Sequence, residues 1–374
     1  MSKSIVISGT GLYVPPHKIS NEELVNSFNT YVDDYNHQHK QAIEKGEIAA
    51  LEYSSTSFIE KASGIHNRYV VDKAGILDPK RMRPSIPAKN DDEPSLQCEM
   101  ACQAIHQALD HARKTPQEVD GVIVSCANIQ RAYPGIAIEI QQALGINGYG
   151  LDIVAACSSA TFGMTNAYNA IASGQNRCIV VVHPEITSGH VNFRDRDSHF
   201  IFGDICAASV IETGETAKNA GFEIVGTKLL TSFSNNIRNN SGFLNHAEVG
   251  DNEANPRHFF KQNGRKVFKE VVPMVEEHIL AHISSLGLTS SDIRRYWLHQ
   301  ANINMNELII KKILGKEALP NDAPIILDKY ANTASCGSLI AFHLHHDDFK
   351  SGELGLICSF GAGYSIGSIV VRKV

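Results

Sequence analysis

Two segments of the chain share one pattern. TPQEVDGVIVSCANI (115–129) and TSSDIRRYWLHQANI (289–303) align without a gap. Each begins with a threonine suited to capping a turn, continues into a strand-like run and ends on Ala-Asn-Ile. A helical pattern ending in Leu-Gly follows both segments. This internal repeat predicts two similar α/β halves, residues 1–215 and 216–374, joined near the polar stretch GETAKNAG (214–221).

Strand-like and helical runs alternate along both halves. IVIS (5–8), GVIVSC (121–126), CIVVVH (178–183) and LGLICSF (354–360) have the apolar, β-branched character of buried strands. Residues 96–112 and 268–286 have the spacing of amphipathic helices. Strands that alternate with helices predict an α/β protein with helix layers on buried sheets.

Composition and charge narrow the classes of function. The 374 residues carry a formal net charge of −6, which argues against nucleic acid as the main partner. No apolar run approaches the roughly 18–20 residues of a membrane span, and the first residues lack the apolar core of a secretory signal. The eight cysteines include no C-x-x-C pair, which predicts reduced thiols in a cytoplasmic protein.

One cysteine lies where a buried strand gives way to a helix. LDIVAACSSATFGMTNAYNAI (151–171) starts as an apolar run, passes through small residues and becomes helical, with Cys157 at the junction. A thiol at the first turn of a helix faces free backbone N–H groups, which predicts a lowered pKa and a reactive sulfur. The alternative for Cys157 is core packing, although the small neighbours leave room for a substrate.

Three further motifs contain candidate site groups. His299 ends a strand-like run in the second half, and Asn332 stands in YANTASC (330–336) just before a helical pattern. SFGAGYSIG (359–367) is a glycine turn between strands, and backbone N–H groups at such turns can hold an oxyanion. Taken singly, each has a structural alternative: a hydrogen-bonded structural histidine, which would be favoured for His299 alone, an N-cap asparagine and a plain hairpin turn.

Together the motifs resemble the thiolase-fold condensing enzymes, and among them the β-ketoacyl-[acyl carrier protein] synthase III family. The resemblance covers nearly the whole chain, through GTGLYVPP (9–16), DIVAAC (152–157), IFGD (201–204), LHQAN (298–302), ANTAS (331–335) and FGAGYSIGS (360–368). It implies an α/β, thiolase-like fold in which two similar βαβαβ-type halves form α-β-α-β-α layers.

The resemblance also implies a decarboxylative Claisen condensation. Cys157 takes the acyl group from an acyl-CoA, and the carbanion from malonyl-acyl carrier protein then attacks it to give a 3-oxoacyl product. His299 and Asn332 donate hydrogen bonds to the malonyl thioester, while the backbone N–H groups of Cys157 and Ala362 hold the other oxyanion. No metal or cofactor is implied, since CoA enters as a thioester substrate. Ser359 stands where thiolases have a second cysteine, so reversible thiolysis is disfavoured.

Substrate-binding residues follow from the same resemblance. Arg196 and Phe58 match residues that stack on the CoA adenine, and Ala301 and Asn302 match positions that line the pantetheine tunnel. Phe268, in GRKVFK (264–269), belongs to the same substrate-binding set. The resemblance therefore implies a tunnel that leads from the surface to the cysteine.

Partner contacts are predicted as well. Tyr133 matches an aromatic residue that crosses a homodimer interface and closes the acyl pocket. Four lysines in segments that flank the tunnel mouth are expected to dock an acidic carrier protein: Lys266, Lys269, Lys311 and Lys312.

Residues 26–56 form an insertion relative to many members of the family. The segment is polar and partly helical, and we expect it to lie beside the tunnel entrance and to influence which substrates fit. Together with Tyr133, it favours an acyl group other than acetyl, of medium length. HLHHDD (343–348) contains metal-ligand residue types, but their spacing scatters them around a helix, so no metal site is predicted.

Three other functions are compatible with the same residues. A Cys-His-Asn hydrolase or a simple thioester acyltransferase uses the same side-chain types. A thiolase-fold condensing enzyme of secondary metabolism differs only in its substrates. A non-catalytic thiolase-fold subunit is disfavoured, because all three polar site residues are present.

Overall fold

The computed structural model describes residues 4–219, 221–249 and 255–374, and within them thirteen strands and eleven α-helices. The strands are β1 (Ile5–Tyr13), β2 (His17–Ser20), β3 (Asn67–Val70), β4 (Gly121–Cys126), β5 (Tyr149–Val154), β6 (Cys178–Glu185), β7 (Ile205–Thr213), β8 (Phe222–Thr231), β9 (Ile237–Arg238), β10 (Lys261–Gln262), β11 (Ile293–Leu298), β12 (Leu354–Gly361) and β13 (Ser365–Lys373).

The helices alternate with these strands. They are α1 (Asn21–Gln38), α2 (Lys40–Glu44), α3 (Thr56–Ser63), α4 (Ala74–Leu77), α5 (Leu96–Ala112), α6 (Ile136–Leu144), α7 (Ser159–Ala172), α8 (Gly264–Ser285), α9 (Ile303–Leu314), α10 (Leu327–Tyr330) and α11 (Gly337–Leu344). No helix in the described part of the chain combines the length and apolarity that crossing a bilayer requires.

Nine strands form one mixed sheet in the order β11-β12-β13-β8-β1-β7-β6-β4-β5. β4 runs parallel to β5 and β6, β11 runs parallel to β12, and the remaining pairs are antiparallel. The first strands of the two predicted halves, β1 and β8, meet in the middle, and each also pairs with the last strand of its half. The two parts of the sheet therefore have related strand orders.

Successive side chains of the buried strands point to opposite faces of the sheet, and this divides the core into layers. Ile123, Ile179 and Val181 face a central core that contains α7 and α11. Val122 and Val180, one residue away on the same strands, face α5 and α6 on the opposite side. A third cluster places α8 and α9 on β11, β12 and β13. The result is the predicted α-β-α-β-α arrangement, and the α/β thiolase-like fold class is confirmed.

The repeated segments have the same local structure. Thr115 and Thr289 each begin a short 3₁₀ turn and donate their backbone N–H to an acid three residues later, at 3.0 Å and 2.7 Å. Each turn leads into a strand, β4 or β11, and then into a helix, α6 or α9. Both helices end at a glycine in the left-handed region, Gly145 (φ 65°) and Gly315 (φ 64°), where a side chain would be strained. The domain boundaries stay a prediction, since one sheet runs through both halves.

The 26–56 segment is ordered by reciprocal side-chain to backbone hydrogen bonds. Asn29 exchanges two with Ser54, at 3.1 Å and 2.9 Å, and Asn36 exchanges two with Leu51, at 3.0 Å and 2.9 Å. Phe28 is buried on the inner face of α1 and stacks on His199, with ring centres 4.5 Å apart. The segment is therefore fixed to the 191–202 loop region, which also contains Arg196.

Candidate active site

The turn that contains Cys157 has a strained backbone, and the small residues around the cysteine can adopt it. After β5, Ala156 has a φ of 48°, Ala156–Ser158 form a 3₁₀ turn, and α7 begins at Ser159. The Ser159 hydroxyl accepts a hydrogen bond from the Ala155 N–H at 2.9 Å and donates one to the Cys126 carbonyl at 3.0 Å. A non-glycine residue at positive φ costs of order 1–3 kcal/mol and is common at functional sites.

The second half contains a matching turn. Ala334 has a φ of 47°, Ala334–Cys336 form a 3₁₀ turn, and α11 begins at Gly337. Ser335 thus has the position that Cys157 has in the first half. Ala334 and Cys157 line the same cavity, so the two turns meet at one site.

Cys157 lies in a cavity of about 850 Å³, within the roughly 300–1,000 Å³ typical of small-molecule sites. A Cβ added at Gly361 would lie 2.5 Å from the Cβ of Cys157, so only glycine allows β12 to pass this close. The apolar part of the lining comes from both halves: Ile153, Val154, Phe162, Phe202, Phe233, Ile237 and Phe260. Ile153, Val154, Phe162 and Phe202 lie in motifs that the sequence analysis quoted, whereas Phe233, Ile237 and Phe260 were missed.

The predicted low pKa of the Cys157 thiol is wrong. Burial, together with the nearby Glu185 carboxylate, raises that pKa to about 12. Hydrogen bonds from the backbone N–H groups of Cys157 and Ala362 act in the opposite direction. The cysteine also precedes α7 by two residues instead of lying in its first turn. Both N–H groups lie within hydrogen-bonding reach of the sulfur, so they are close to the carbon that would be bonded to it and to the oxyanion that would form there.

His299 and Asn332 are not in the described lining of the cavity, but both form hydrogen bonds with the backbone of Ala334, which is part of that lining. The Asn332 side-chain oxygen accepts a hydrogen bond from the Ala334 N–H at 3.0 Å, and among the described residues no acceptor binds its NH₂ group. Burial lowers the pKa of His299 to about 4, and a hydrogen bond with the Ala334 backbone opposes that shift. The imidazole is therefore neutral at pH 7 and has one N–H group with which it can donate a hydrogen bond.

Glu185 is a site residue that the sequence did not single out. It ends β6, is fully buried, and accepts hydrogen bonds from the Ala127 N–H at 2.9 Å, from the Ser335 N–H at 3.2 Å and from the Ser335 hydroxyl. Burial raises its pKa to about 7 against the effect of these donors. A carboxyl two residues after a histidine in an apolar strand, HPE (183–185), was the available signal.

Two of the predicted CoA-binding residues, Arg196 and Phe58, are in contact, and all five lie away from the cavity lining. The Arg196 guanidinium carbon is 4.1 Å from the centre of the Phe58 ring, and its Nε donates to the Tyr53 carbonyl at 2.8 Å. Asn302 donates to the Ala62 carbonyl at 2.6 Å, which connects the start of α9 to α3. Ala301 and Phe268 pack at the edge of the third core cluster. In the described structure none of the five predicted residues lines the cavity that contains Cys157.

The insertion and Tyr133 also lie outside this cavity. The 51–55 part of the insertion contacts Arg196, but no residue of 26–56 is in the described cavity lining. Tyr133 is 85% exposed on the loop before α6. Its predicted role across a dimer interface and the predicted influence of the insertion on substrate choice stay predictions.

The four predicted docking lysines differ in their surroundings. Lys311 forms an ion pair with Glu317, and Lys312 forms one with Glu276 at 2.8 Å. Lys266 and Lys269 are exposed on the first turns of α8 and make no ion pair with the described residues. The ion-paired lysines are less available to a partner than the two on α8.

The side chains of the HLHHDD motif have separate protein partners. His343 Nδ1 shares a hydrogen bond with Thr10 Oγ1 at 2.7 Å, and Asp348 pairs with Arg295 at 2.6 Å. In the described part of the chain no three His, Cys, Asp or Glu side chains are placed to hold a metal ion.

Comparison with known proteins identifies the family. The models of 3-oxoacyl-[acyl-carrier-protein] synthase III and of its C-terminal part match residues 151–232 and 283–373. The chain is 56% identical, over 93% of its length and 99% of the relative, to the β-ketodecanoyl-[acyl-carrier-protein] synthase of Pseudomonas aeruginosa. It is 27% identical to a β-ketoacyl-[acyl-carrier-protein] synthase III of Bartonella bacilliformis, over 89% of this chain and 95% of that protein.

Solved structures show the same fold. The synthase III of Aquifex aeolicus superposes with a TM-score of 0.75 at 22% identity, over 98% of this chain and 99% of that one. The corresponding enzyme of Pseudomonas aeruginosa gives 0.76 at 20% identity, over 99% and 98%. The chain belongs to the 3-oxoacyl-[acyl-carrier-protein] synthase III family. It is an acyltransferase that condenses an acyl-CoA with a malonyl-acyl carrier protein, as the sequence predicted.

Proposed function

We propose that this protein condenses an eight-carbon acyl-CoA with malonyl-acyl carrier protein to give 3-oxodecanoyl-acyl carrier protein. The observation that carries the proposal is the 56% identity to a relative whose name gives a ten-carbon 3-oxoacyl product, two carbons of which come from malonyl. The apolar lining around Cys157 supports a chain longer than acetyl.

The acylation step is assigned to Cys157 and its two neighbouring N–H groups. The sulfur attacks the thioester carbon, and the N–H groups of Cys157 and Ala362 stabilise the oxyanion that forms. The C–S bond to CoA then breaks, and the departing CoA sulfur takes up the proton that the thiol loses. Losing one donor of an oxyanion hole costs about 10²–10³-fold in rate.

The condensation step is assigned to His299 and Asn332. When the carboxyl of the malonyl group leaves as CO₂, the electron pair passes to the thioester as an enolate. The neutral imidazole and the amide NH₂ group donate hydrogen bonds to its oxygen. The carbanion attacks the acyl carbon, the bond to Cys157 breaks, and the sulfur is reprotonated.

A homodimer built on β5 is part of the proposal. β5 is an end strand of the nine-stranded sheet, and its outward side chains Tyr149 and Leu151 are exposed. Exposed Tyr133 precedes α6, which packs on β5. An end strand with apolar side chains offers both unpaired backbone groups and apolar surface to a second copy.

The test of function is an acyl-CoA panel from acetyl to dodecanoyl, read as intact mass. We expect the largest adduct yield with octanoyl-CoA and no adduct with Cys157→Ser under the same conditions. Adding malonyl-acyl carrier protein labelled in the carboxyl carbon should release labelled CO₂ and remove the adduct. An adduct that water removes at the same rate without malonyl substrate, or an acetyl preference, would reject the proposal.

A further inference from the structure

Three polar side chains connect the wall of the Cys157 cavity to the surface of the protein. The Tyr364 hydroxyl donates a hydrogen bond to the Glu270 carboxylate at 2.8 Å, and the Asn236 NH₂ group donates to the same carboxylate oxygen at 2.8 Å. The NH₂ group also donates to the Tyr364 hydroxyl oxygen at 3.0 Å. Tyr364 lines the cavity, whereas Glu270 is exposed on α8, outside the described lining. One carboxylate outside the cavity therefore accepts both donors.

Asn236 belongs to a segment, residues 231–241, that forms one wall of the cavity. Residues 231–235, 237–239 and 241 are in the described lining. Asn236 is not in this lining, and its side chain reaches α8 instead. Asn236 thus attaches the 231–241 segment to a helix from the side that faces away from the cavity.

The 231–241 segment is also bonded to the turn that contains the Ala362 amide. The Ser232 N–H donates to the Tyr364 carbonyl at 2.8 Å. Because the hydroxyl of the same tyrosine is bonded to Glu270, this carboxylate is connected to the segment by two routes. A change at Glu270 can therefore reach the wall of the cavity through either route.

Packing fixes α8 more firmly than it fixes the 231–241 segment. Val267 and Val271 of α8 are buried in the third core cluster. In the segment, Ile237 is only partly buried against that cluster, and Phe233 is 86% exposed although it lines the cavity. The helix is therefore the fixed side of the contact, and the hydrogen bonds to Glu270 hold the segment to it.

Loss of the carboxylate would leave two donors without their acceptor. The Tyr364 side chain is almost completely enclosed, since the residue is only 4% exposed. A buried donor without a partner is costly, so the tyrosine and the segment bonded to it would shift to reach water. An outward shift of the segment would lengthen the space that is open to an acyl chain.

We propose that Glu270 is a positioning residue that sets the length of the acyl chain accepted at Cys157. Through Tyr364 and Asn236 it holds the 231–241 segment against the cavity, so that chains too long for the closed cavity are excluded. Glu270 acts from outside the cavity and does not touch the reacting atoms. The inference rests on the proposed transfer of an acyl group from CoA to Cys157.

Single-turnover acylation of Cys157, read as intact mass, tests this role with octanoyl-CoA and dodecanoyl-CoA. The variants are Glu270→Ala, Glu270→Gln, Tyr364→Phe and the double variant Glu270→Ala/Tyr364→Phe. The matched control is Glu277→Ala, which removes a carboxylate from an exposed position on the same helix. Each rate is measured over a range of thioester concentrations, so that the maximal rate and the half-saturating concentration are obtained separately.

We expect the ratio of the dodecanoyl rate to the octanoyl rate to rise on the order of tenfold in Glu270→Ala, and to rise in Tyr364→Phe as well. The double variant should show no larger rise than Glu270→Ala, because both changes act through the same carboxylate. Glu270→Gln keeps an accepting oxygen, and it should stay within about twofold of the parent, as should the control.

An unchanged ratio in Glu270→Ala overturns the proposal, as does an equal rise in Glu277→Ala. If Glu270→Ala does not fold, Tyr364→Phe decides the outcome in the same way, because it removes only a hydroxyl group.

Alkylation separates this proposal from the proposed function, because it needs no acyl transfer. The readout is the rate at which N-octylmaleimide modifies Cys157 relative to N-ethylmaleimide, located by peptide mass mapping. If the parent forms no acyl adduct but this ratio rises in Glu270→Ala, the proposed function fails and the positioning by Glu270 stands. If acyl adducts form but neither ratio changes in Glu270→Ala, only the role of Glu270 fails.

Discussion

At the scale of single residues, the chemistry of Cys157 depends on a carboxylate that is distant in sequence. Glu185 ends β6, and its charge acts together with burial to raise the pKa of the thiol. The same carboxylate holds Ala127 and Ser335, so it also fixes backbone on two sides of the cavity. Glu185 therefore has an electrostatic and a positional effect, which substitution can separate.

Glu185→Gln keeps an oxygen for the Ala127 and Ser335 N–H groups but removes the charge. We expect the pKa of the Cys157 thiol to fall, and each unit of fall multiplies the thiolate fraction below that pKa about tenfold. The measurement is the pH dependence of iodoacetamide alkylation, with thiolate absorbance as a second readout. Ser335→Ala is the matched control, because it removes one hydrogen bond and keeps the charge. An unchanged alkylation profile in Glu185→Gln contradicts the electrostatic effect.

Gly361 is required by the space beside the nucleophile. In Gly361→Ala the new Cβ would lie 2.5 Å from the Cβ of Cys157, so the sulfur or β12 must move. A displacement of about 1 Å at a reacting atom can cost 10²-fold, and we expect acylation to slow by on the order of that factor. The single-turnover acylation rate measures it. Gly264→Ala, with no atom within 4 Å of its added Cβ, should acylate like the parent.

The sequence predicted the position of Cys157 correctly but predicted the wrong direction for the shift of its pKa. The strand-to-helix junction placed Cys157 in the correct turn because that pattern is local. The direction of its pKa shift was wrong because burial and Glu185 come from elements that are brought together only by the fold. The lining rings Phe233 and Phe260 were missed for the same reason, since their segments have no periodic pattern.

At the scale of elements, the internal repeat was the most reliable guide. It predicted the cap, strand and helix around Thr115 and again around Thr289, all of which depend on residues close in sequence. It did not predict that β1 and β8 pair and unite nine strands in one sheet. Nor did it predict the contact of the insertion with Arg196, which depends on the path of the 191–202 loop.

The end strand β5 is the element on which the proposed homodimer depends. Leu151→Lys places a charge on its exposed face outside the Cys157 cavity, and we expect it to shift the protein from dimer to monomer. Light scattering after size-exclusion chromatography measures the mass. Leu319→Lys, at an apolar position on a loop that is more exposed than Leu151, is the control. A dimer that persists in Leu151→Lys with unchanged dissociation rejects an interface at β5.

At the scale of the whole molecule, we expect buried histidines to determine how the free energy of unfolding changes as the pH falls. Burial lowers the pKa of seven histidines to about 4 or below, a set consisting of His183, His190, His199, His278, His282, His299 and His343. The unfolded chain binds these protons near pH 6.5, so the folded state holds fewer of them between pH 6.5 and 4. Above pH 6.5 these histidines are neutral in both states and do not affect the free energy of unfolding. As the pH falls from 6.5 towards 4, the unfolded chain gains protons that the folded state does not, so the free energy of unfolding decreases.

We therefore expect the Tm to fall steeply between pH 6.5 and 4.5. Glu185 acts in the opposite direction, because its pKa is raised to about 7 and protonation favours the folded state as the pH falls. Burial also raises the pKa of Asp204, which acts in the same direction as Glu185, and these two carboxyls offset only part of the effect of seven imidazoles. Calorimetry from pH 8 to pH 4.5 gives the slope, and the exposed His37→Gln should leave it unchanged. A constant Tm over this range contradicts the expectation.

The meeting of the turns at Ala156 and Ala334 has a practical consequence for dividing the protein. The sulfur comes from one side of the junction between β7 and β8, whereas the Ala362 amide and the imidazole of His299 come from the other. A chain severed there yields two fragments, neither of which has a complete set of reacting groups. Such a pair would suit a split reporter, in which octanoyl labelling appears only when two fused partners bring the fragments back into register.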